Sequence, residues 1–384
     1  MLERTARLTD ETARLLADEA AAPAAGGPRR LRVFLEVRPA ISPIADLLIL
    51  LAAVAVGVAL SAGILIAAGV PPGDLYYEFL VATLTDPQNL SAVMVRAAPL
   101  ILVGIAAAIA FRVRFWNIGL EGQIIFGGIA AVLVGLGEVG PPAVRLALML
   151  AAALLAGAAW VVLPLVLKLK IGVNEIISTL LLNYVAVNVL LHLIYGPLQD
   201  KIDNFPHSPE LPAGSRLPLI GWEKLDAGLP LALAVAFIVF WVVRMSRGGL
   251  YMRFIHANDR MALAVGVPIT LVTAATVLAS GALSGAAGFL LVAGQEYRLT
   301  PSFFGGYGLS GILIAFLARS NPLGATVAAV LVALLFTAGQ SLQVFFQIPS
   351  SAVQLIQALI VLVVAASEFF VRHRIRFART GGAR

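Results

Sequence analysis

The sequence predicts an all-α polytopic membrane protein of about ten transmembrane helices in two related halves, with the N-terminus and C-terminus both cytoplasmic. Three observations carry this expectation. Of 384 residues, 60% are apolar and 12% charged, with a mean hydropathy of +0.94, whereas a soluble domain carries about 25% charged residues. The apolar residues fall in runs of about 20, the length a helix needs to cross a hydrocarbon core of about 30 Å. The basic residues collect in alternate loops between those runs. Inside lipid every backbone polar group must be bonded internally, and the runs show no period-two alternation, so helices are expected rather than a closed barrel.

Residues 1–40 read as a cytoplasmic N-terminal tail. They are charged, place Arg29 and Arg30 in a Gly/Pro-rich stretch, and contain no apolar core of a signal peptide, so the first apolar run is expected to be an uncleaved anchor. Thr9 or Asp10 could cap a short amphipathic helix through Ala22, and a solvated tail fits equally well. The membrane-spanning domain covers 41–372, with spans near 44–68, 92–111, 117–136, 143–167, 174–194, 229–243, 268–292, 306–318, 323–338 and 353–371. Residues 373–384 form a basic cytoplasmic tail. With the N-terminus inside, Arg96, Arg145, Lys201, Arg216, Lys224 and Arg298 are the only ones of the 27 Lys and Arg that fall outside, as the positive-inside rule requires. The formal charge of +6 is then explained by topology, and a nucleic-acid partner is not needed. There is no cysteine, which excludes disulfides and thiolate metal sites.

The spans at 306–318 and 323–338 are expected to be short, bounded by Gly305, Gly306, Asn321 and Pro322. Short broken segments line a protein interior rather than face lipid. In the first half, residues 117–123 open a span in the same way, and Gly119 to Gly122 (Gly-Leu-Glu-Gly) echoes Gly308 to Gly311 (Gly-Leu-Ser-Gly). Echoes in corresponding halves point to an internal repeat with the pathway between the halves.

Spacing of four puts Glu175, Thr179 and Asn183 on one helical stripe. Polar side chains at membrane depth face a bundle interior or a wet cavity, so the stripe reads either as a translocation wall or as interhelical glue. Glu121 is the carboxylate clearly inside the first half's apolar runs, with Asn117 and Gln123 beside it. It could contact solute, or it could bond exposed amides where a broken helix begins. Ser280, Ser284 and Gly288, with Gly281 and Gly285, form a small-residue stripe suited to close helix approach. The basic loop 244–268 interleaves Tyr251, Met252, Phe254 and Ile255 with Arg253 and Arg260. That pattern suits docking on a soluble protein or resting on anionic lipid. The four lysines follow Leu167, Leu169, Asp200 and Glu223, so no Walker phosphate loop exists, and no zincin or nucleophile-elbow motif appears. The chain is not expected to be an enzyme, and no catalytic or metal-binding residue is assigned.

Three segments together resemble the permease family of ATP-binding-cassette (ABC) importers for ribose-type sugars and nucleosides, within the branched-chain amino acid/ribose-type superfamily, and most closely its nucleoside branch. They are Phe115 to Gln123, Asn174 to Tyr184, and Tyr297 to Ile312 followed by Asn321 to Gly324. The resemblance covers about residues 92–370. It implies a ten-helix permease in the bacterial inner membrane, paired with a second copy or a paralogue. It further implies two cytosolic ATPase subunits, which use ATP and Mg while this chain binds no cofactor, and an extracytoplasmic lipoprotein that delivers solute. The family's ATPase-docking loop matches here at Gly249, Leu250, Arg253 and Asn258, with Arg260 beside them, and departs at Phe254, His256, Asp259 and Met261. Asn117, Glu121, Gln123, Glu175, Thr179 and Asn183 are then the expected pathway residues. The alternative is an ion-coupled secondary transporter using Glu121. A passive channel or scaffold is a third reading.

Overall fold

The computed structural model describes residues 30–37, 42–67, 69, 71–203, 205–346 and 349–380. The helix expected from Thr9 or Asp10 to Ala22 lies outside the described residues. Twelve helices are labelled here: α1 Pro43–Ala67, α2 Pro87–Arg112, α3 Leu120–Leu136, α4 Pro142–Val166, α5 Glu175–Ile194, α6 Gly228–Met245, α7 Arg247–Ala257, α8 Asp259–Ala264, α9 Ile269–Leu290, α10 Tyr307–Leu317, α11 Pro322–Phe346 and α12 Ser350–Arg372. All ten apolar runs coincide with helices, α7 and α8 forming the loop between α6 and α9. Among the described residues six helices are long and apolar enough to cross a membrane, and four shorter apolar helices accompany them.

The starts of these helices are written locally. Asp86 accepts from the Gln88 N–H at 2.9 Å ahead of Pro87, and Asn174 accepts from Ile176 N–H at 2.9 Å. Each supplies an acceptor to a first-turn amide that has no helical partner, and proline fits the first helical position because it lacks that amide. Two helices widen into π-turns at their ends. α4 continues through Leu167–Ile171 and stops at Gly172, whose φ of 77° needs glycine. α9 continues through Leu291–Glu296 and stops at Tyr297, φ 56°.

Three differences from expectation stand out. The span placed at 323–338 is not short: α11 has 25 residues, because the helix runs on through Gln340, Ser341 and Gln343, whose polarity ends the apolar run but not the helical backbone. The regions read as tails also contain strands. β1 (Arg30–Val37) and β2 (His373–Thr380) pair antiparallel, Arg30 opposite Thr380 and Val37 opposite His373. All-α therefore describes the membrane-spanning helices and not these flanks. A short helical stretch over residues 72–85 was likewise not foreseen.

The chain divides into two compact units. One comprises Met1–Ile49 with Glu368–Arg384 and holds the ribbon; the other is Leu50–Ser367. Within the second unit, α2 and α9 are the most enclosed spans, each 78% buried over its apolar window, whereas α4, α5 and α6 are 22% buried. Each enclosed helix is followed by an irregular segment and a short helix, and each is embraced by the other half: α2 packs on α10 and α11, and α9 packs on α3 and α4. Glycine makes the second contact possible. A methyl group on Gly285 would lie 2.1 Å from the Ala153 carbonyl oxygen, and one on Gly288 would lie 2.1 Å from that of Ile124. The small-residue stripe thus brings backbones into direct contact.

Candidate functional site

The polar residues singled out in the sequence converge on the break between α2 and α3. Asn117 and Gln123, both fully enclosed, exchange amide hydrogen bonds: Asn117 Nδ2 donates to Gln123 Oε1 at 3.1 Å and Gln123 Nε2 donates to Asn117 Oδ1 at 2.9 Å. Asn117 Nδ2 also donates to Ser280 Oγ on α9 at 3.0 Å. Asn183 holds the segment from the other side. Its Oδ1 accepts from the Gly122 N–H and its Nδ2 donates to the Ile118 carbonyl, both at 2.9 Å. These bonds replace the helical ones that the break gives up.

Glu175, Thr179 and Asn183 do share one buried face of α5. Glu175 pairs with Lys168 at 2.5 Å and accepts from the Trp116 N–H at 3.4 Å, and Thr179 donates to the Glu175 carbonyl at 2.6 Å. Gly119 lies against Thr179, where a methyl group would come within 3.0 Å of its Cβ. The face is therefore occupied by the broken segment itself.

Glu121 sits between the halves. Its carboxylate lies near the backbone N–H of Gly306, the residue that caps α10 with a φ of 75°. A carboxylate near a helix N-terminus complements the positive end of the helix dipole. Gly308 packs on the same residue, since a methyl there would lie 2.6 Å from the Glu121 backbone nitrogen. The two echoed Gly-Leu-x-Gly stretches thus meet at this point.

On the charged side of the break, loop 244–268 folds as two short helices. Ser246 caps α7 by accepting from Gly249 N–H at 3.1 Å, and Asn258 caps α8 by accepting from Arg260 N–H at 2.9 Å and Met261 N–H at 3.3 Å. Gly249 has no room for a side chain: a methyl would lie 2.1 Å from the Val243 carbonyl oxygen. Ile255, Ala262 and Val267 pack into a cluster with Val113 and Phe115, while Leu250, Arg253, Arg260 and Met261 face outward. Arg114, which sequence reading did not single out, ties the loop to the break. Its guanidinium donates to the carbonyls of His256, at 3.0 and 3.2 Å, and Ala257, at 3.2 Å, at the end of α7. It also lies 3.7 Å from Asp259. A cation among terminal carbonyls is the favourable partner for that helix end. Lys168 was also missed as a partner of Glu175, because no local spacing announces a contact between consecutive spans.

The long connection between α5 and α6 carries a second group of charges. Glu210 binds Arg298 and, at 2.9 Å, Arg216, and these guanidiniums hold its carboxyl below the usual carboxylate range. Burial pushes the Asp226 carboxyl up, although it accepts from the Gly228 N–H at 2.7 Å. Asp200, Asp203 and His207 approach one another closely enough to ligate a cation, but Arg298 Nη1 lies 3.3 Å from His207 Nε2 and opposes one.

Comparison with known proteins follows the same lines. Residues 89–365 match the family described as the branched-chain amino acid transport system/permease component. The glucose ABC transporter permease protein TsgB13 of Haloferax volcanii is 36% identical over 345 residues, 86% of this chain and 89% of that protein. The guanosine ABC transporter permease protein NupP of Bacillus subtilis is 30% identical over 84% of this chain and 94% of its own length. The nucleoside permease NupB of Lactococcus lactis is 24% identical over 83% of this chain and 90% of its own length. A multi-pass membrane chain whose broken helices are tied to a capped two-helix loop, and which matches these permeases along most of its length, belongs to the sugar and nucleoside ABC permeases of the branched-chain amino acid transport system permease family.

Proposed function

We propose that this chain forms the translocation pathway of an ABC importer in the bacterial cytoplasmic membrane. The solute is a nucleoside or simple sugar delivered by an extracytoplasmic lipoprotein, and separate cytosolic ATPases supply the energy, using ATP and Mg. The observation that carries the reading is the Arg114 link. An ATPase docked on Leu250, Arg253 and Arg260 and moving α7 pulls directly on the segment 113–119, which the Asn117, Gln123, Glu175, Thr179 and Asn183 network joins to α5 and α9. Glu121, beside Gly306, passes that displacement to α10. Coupling of this kind needs an element with two packed arrangements biased by the partner, and short helices braced by exchangeable hydrogen bonds supply one. The six network residues then act as wall and hinge of the pathway.

Ten spans with both tails cytoplasmic, and pairing with a second permease subunit, complete the reading. The β1–β2 pairing supports an even number of crossings, because strands on opposite sides of a bilayer could not meet. Sugar and nucleoside relatives both align along most of the chain, so the solute is chosen by uptake competition between guanosine and glucose. The decisive experiment reconstitutes the chain with its ATPases and receptor and replaces the catalytic glutamate of the ATPase. Uptake is expected to vanish. Uptake that persists, and is instead abolished by Glu121→Gln or by collapsing the ion gradient, would point to secondary transport.

A further inference from the structure

Between the outer end of α9 and the start of α10 lies a polar cluster that the reading above does not use. Arg96 is 16 residues before the end of α2, about 24 Å up the helix from Arg112. One of its terminal nitrogens, Nη2, donates to the side-chain oxygen of Gln340 on α11. The other, Nη1, is buried without a hydrogen-bond partner. Glu296 and the Tyr307 hydroxyl lie within electrostatic reach of the same guanidinium. Tyr307 donates to Gln295 Oε1 at 3.4 Å, and Gln295 Nε2 donates to the Val95 carbonyl at 3.1 Å. Thr337, 4% exposed and three residues before Gln340 on α11, has a hydroxyl with no partner. The ring contact of its neighbour Phe336 with Tyr307, at 6.2 Å, sets this turn of α11 at the level of the cluster.

Native interiors satisfy buried polar groups with protein, water or ligand. In a membrane span an unpaired guanidinium nitrogen is costlier still. We propose that Arg96, Glu296, Gln340 and Thr337, with Tyr307 and Gln295 behind them, form a binding station for a neutral ring bearing adjacent hydroxyls. The chemistry follows from the groups. Arginine presents parallel donors to two neighbouring oxygens, a carboxylate accepts two neighbouring O–H groups, and an amide or hydroxyl does either. One positive and one negative group leave no net charge to attract an ion. The ribose diol of a nucleoside and the ring hydroxyls of a hexose share this chemistry. Arg96 Nη2, the Gln295 amide and the Tyr307 hydroxyl already have protein partners, so the station exchanges some bonds and adds few, which suits a solute that must leave.

The inference rests on the importer reading, and its test keeps the two apart. The permease–ATPase complex, without receptor, is heated in detergent with millimolar guanosine, 2′,3′-dideoxyguanosine or glucose. A rise in melting temperature with guanosine or glucose, and none with the dideoxy compound, is expected, and the ligand that acts identifies the solute class. Glu296→Gln and Arg96→Lys are expected to abolish the rise, and Thr337→Val to reduce it. In the receptor-driven system Glu296→Gln is expected to lower maximal uptake about tenfold (1.4 kcal/mol). The wild-type comparison needs no variant to fold. Equal shifts with and without the diol, no shift with any compound, or a shift surviving Glu296→Gln overturns the station. Loss of all ATP-dependent uptake in the wild-type system overturns the importer reading instead.

Discussion

The irregular segments 113–119 and 297–306 each follow a long enclosed helix and precede a short one, yet they satisfy their polar groups by different means. The first is sewn shut by side chains from four helices, through Asn183, Ser280, Gln123 and the Lys168–Glu175 pair. The second combines left-handed residues at Tyr297, Gly305 and Gly306 with bonds to the connection between α5 and α6, where Leu299 N–H donates to Ser208 Oγ at 2.9 Å, Leu211 N–H donates to the Tyr297 carbonyl at 2.7 Å and Glu210 binds Arg298. Beside it Arg96 and Thr337 keep unpaired atoms. A closed network favours one arrangement, while an incomplete one leaves alternatives of similar energy. On the proposed importer reading the first break transmits force and the second meets the passing solute.

Four substitutions probe that contrast. The largest effect is expected where the two breaks meet. Gly308→Ala would drive a methyl group into the Glu121 backbone, and since neither partner is a flexible side chain the substitution should destabilise by about 3 kcal/mol. The measurement is the fraction of monodisperse protein recovered in detergent; normal recovery would show that the halves are not held at this point. Asn183→Ala removes an acceptor and a donor from the first break and should cost about 2 kcal/mol, seen as a lower melting temperature together with weaker uptake. A melting temperature that is unchanged would mean the break is closed by other groups.

Arg114→Gln tests transmission itself. Its loss from the end of α7 should cost about 1 kcal/mol or less, but uptake per ATP hydrolysed should fall several-fold, because the ATPase then moves a loop no longer tied to the break. Uptake and hydrolysis falling together would place the coupling elsewhere.

The smallest effect lies outside both breaks. The folded Asp226 titrates above its ordinary value of 3.8, so the burden of its charge is absent below the unfolded pKa, grows as pH rises from there to the folded pKa and is complete above it. Asp226→Asn, which keeps an acceptor for Gly228 N–H, should raise the melting temperature by about 2 °C at pH 8. The gain should fade toward pH 4, and a gain independent of pH would exclude titration as its cause.

Much of this architecture could be read in advance. Apolar length is a local property, and the ten runs found their helices within a few residues at most starts, as at Glu175, Ile269 and Tyr307. Spacing of four correctly set Glu175, Thr179 and Asn183 on one face. Partners were not legible, because Arg114 reaches a carbonyl 142 positions away and nothing near it in the chain requires this. Arg96 read only as an outward basic residue, since the groups that surround it come from α11 and the end of α9. Strand pairing between residues 30–37 and 373–380 was hidden for the same reason.

That pairing has a consequence for biosynthesis. β1 leaves the ribosome before the helices α1 to α12, and its partner emerges after them. Throughout synthesis β1 therefore presents open strand edges, and loop closure over more than 300 residues delays its pairing beyond any local contact. Ribbon formation thus has to follow synthesis of the spans described between its strands, and a cross-link introduced between Val33 and Phe377, opposite one another in the ribbon and without a cysteine in the sequence to compete, would time the insertion of those spans.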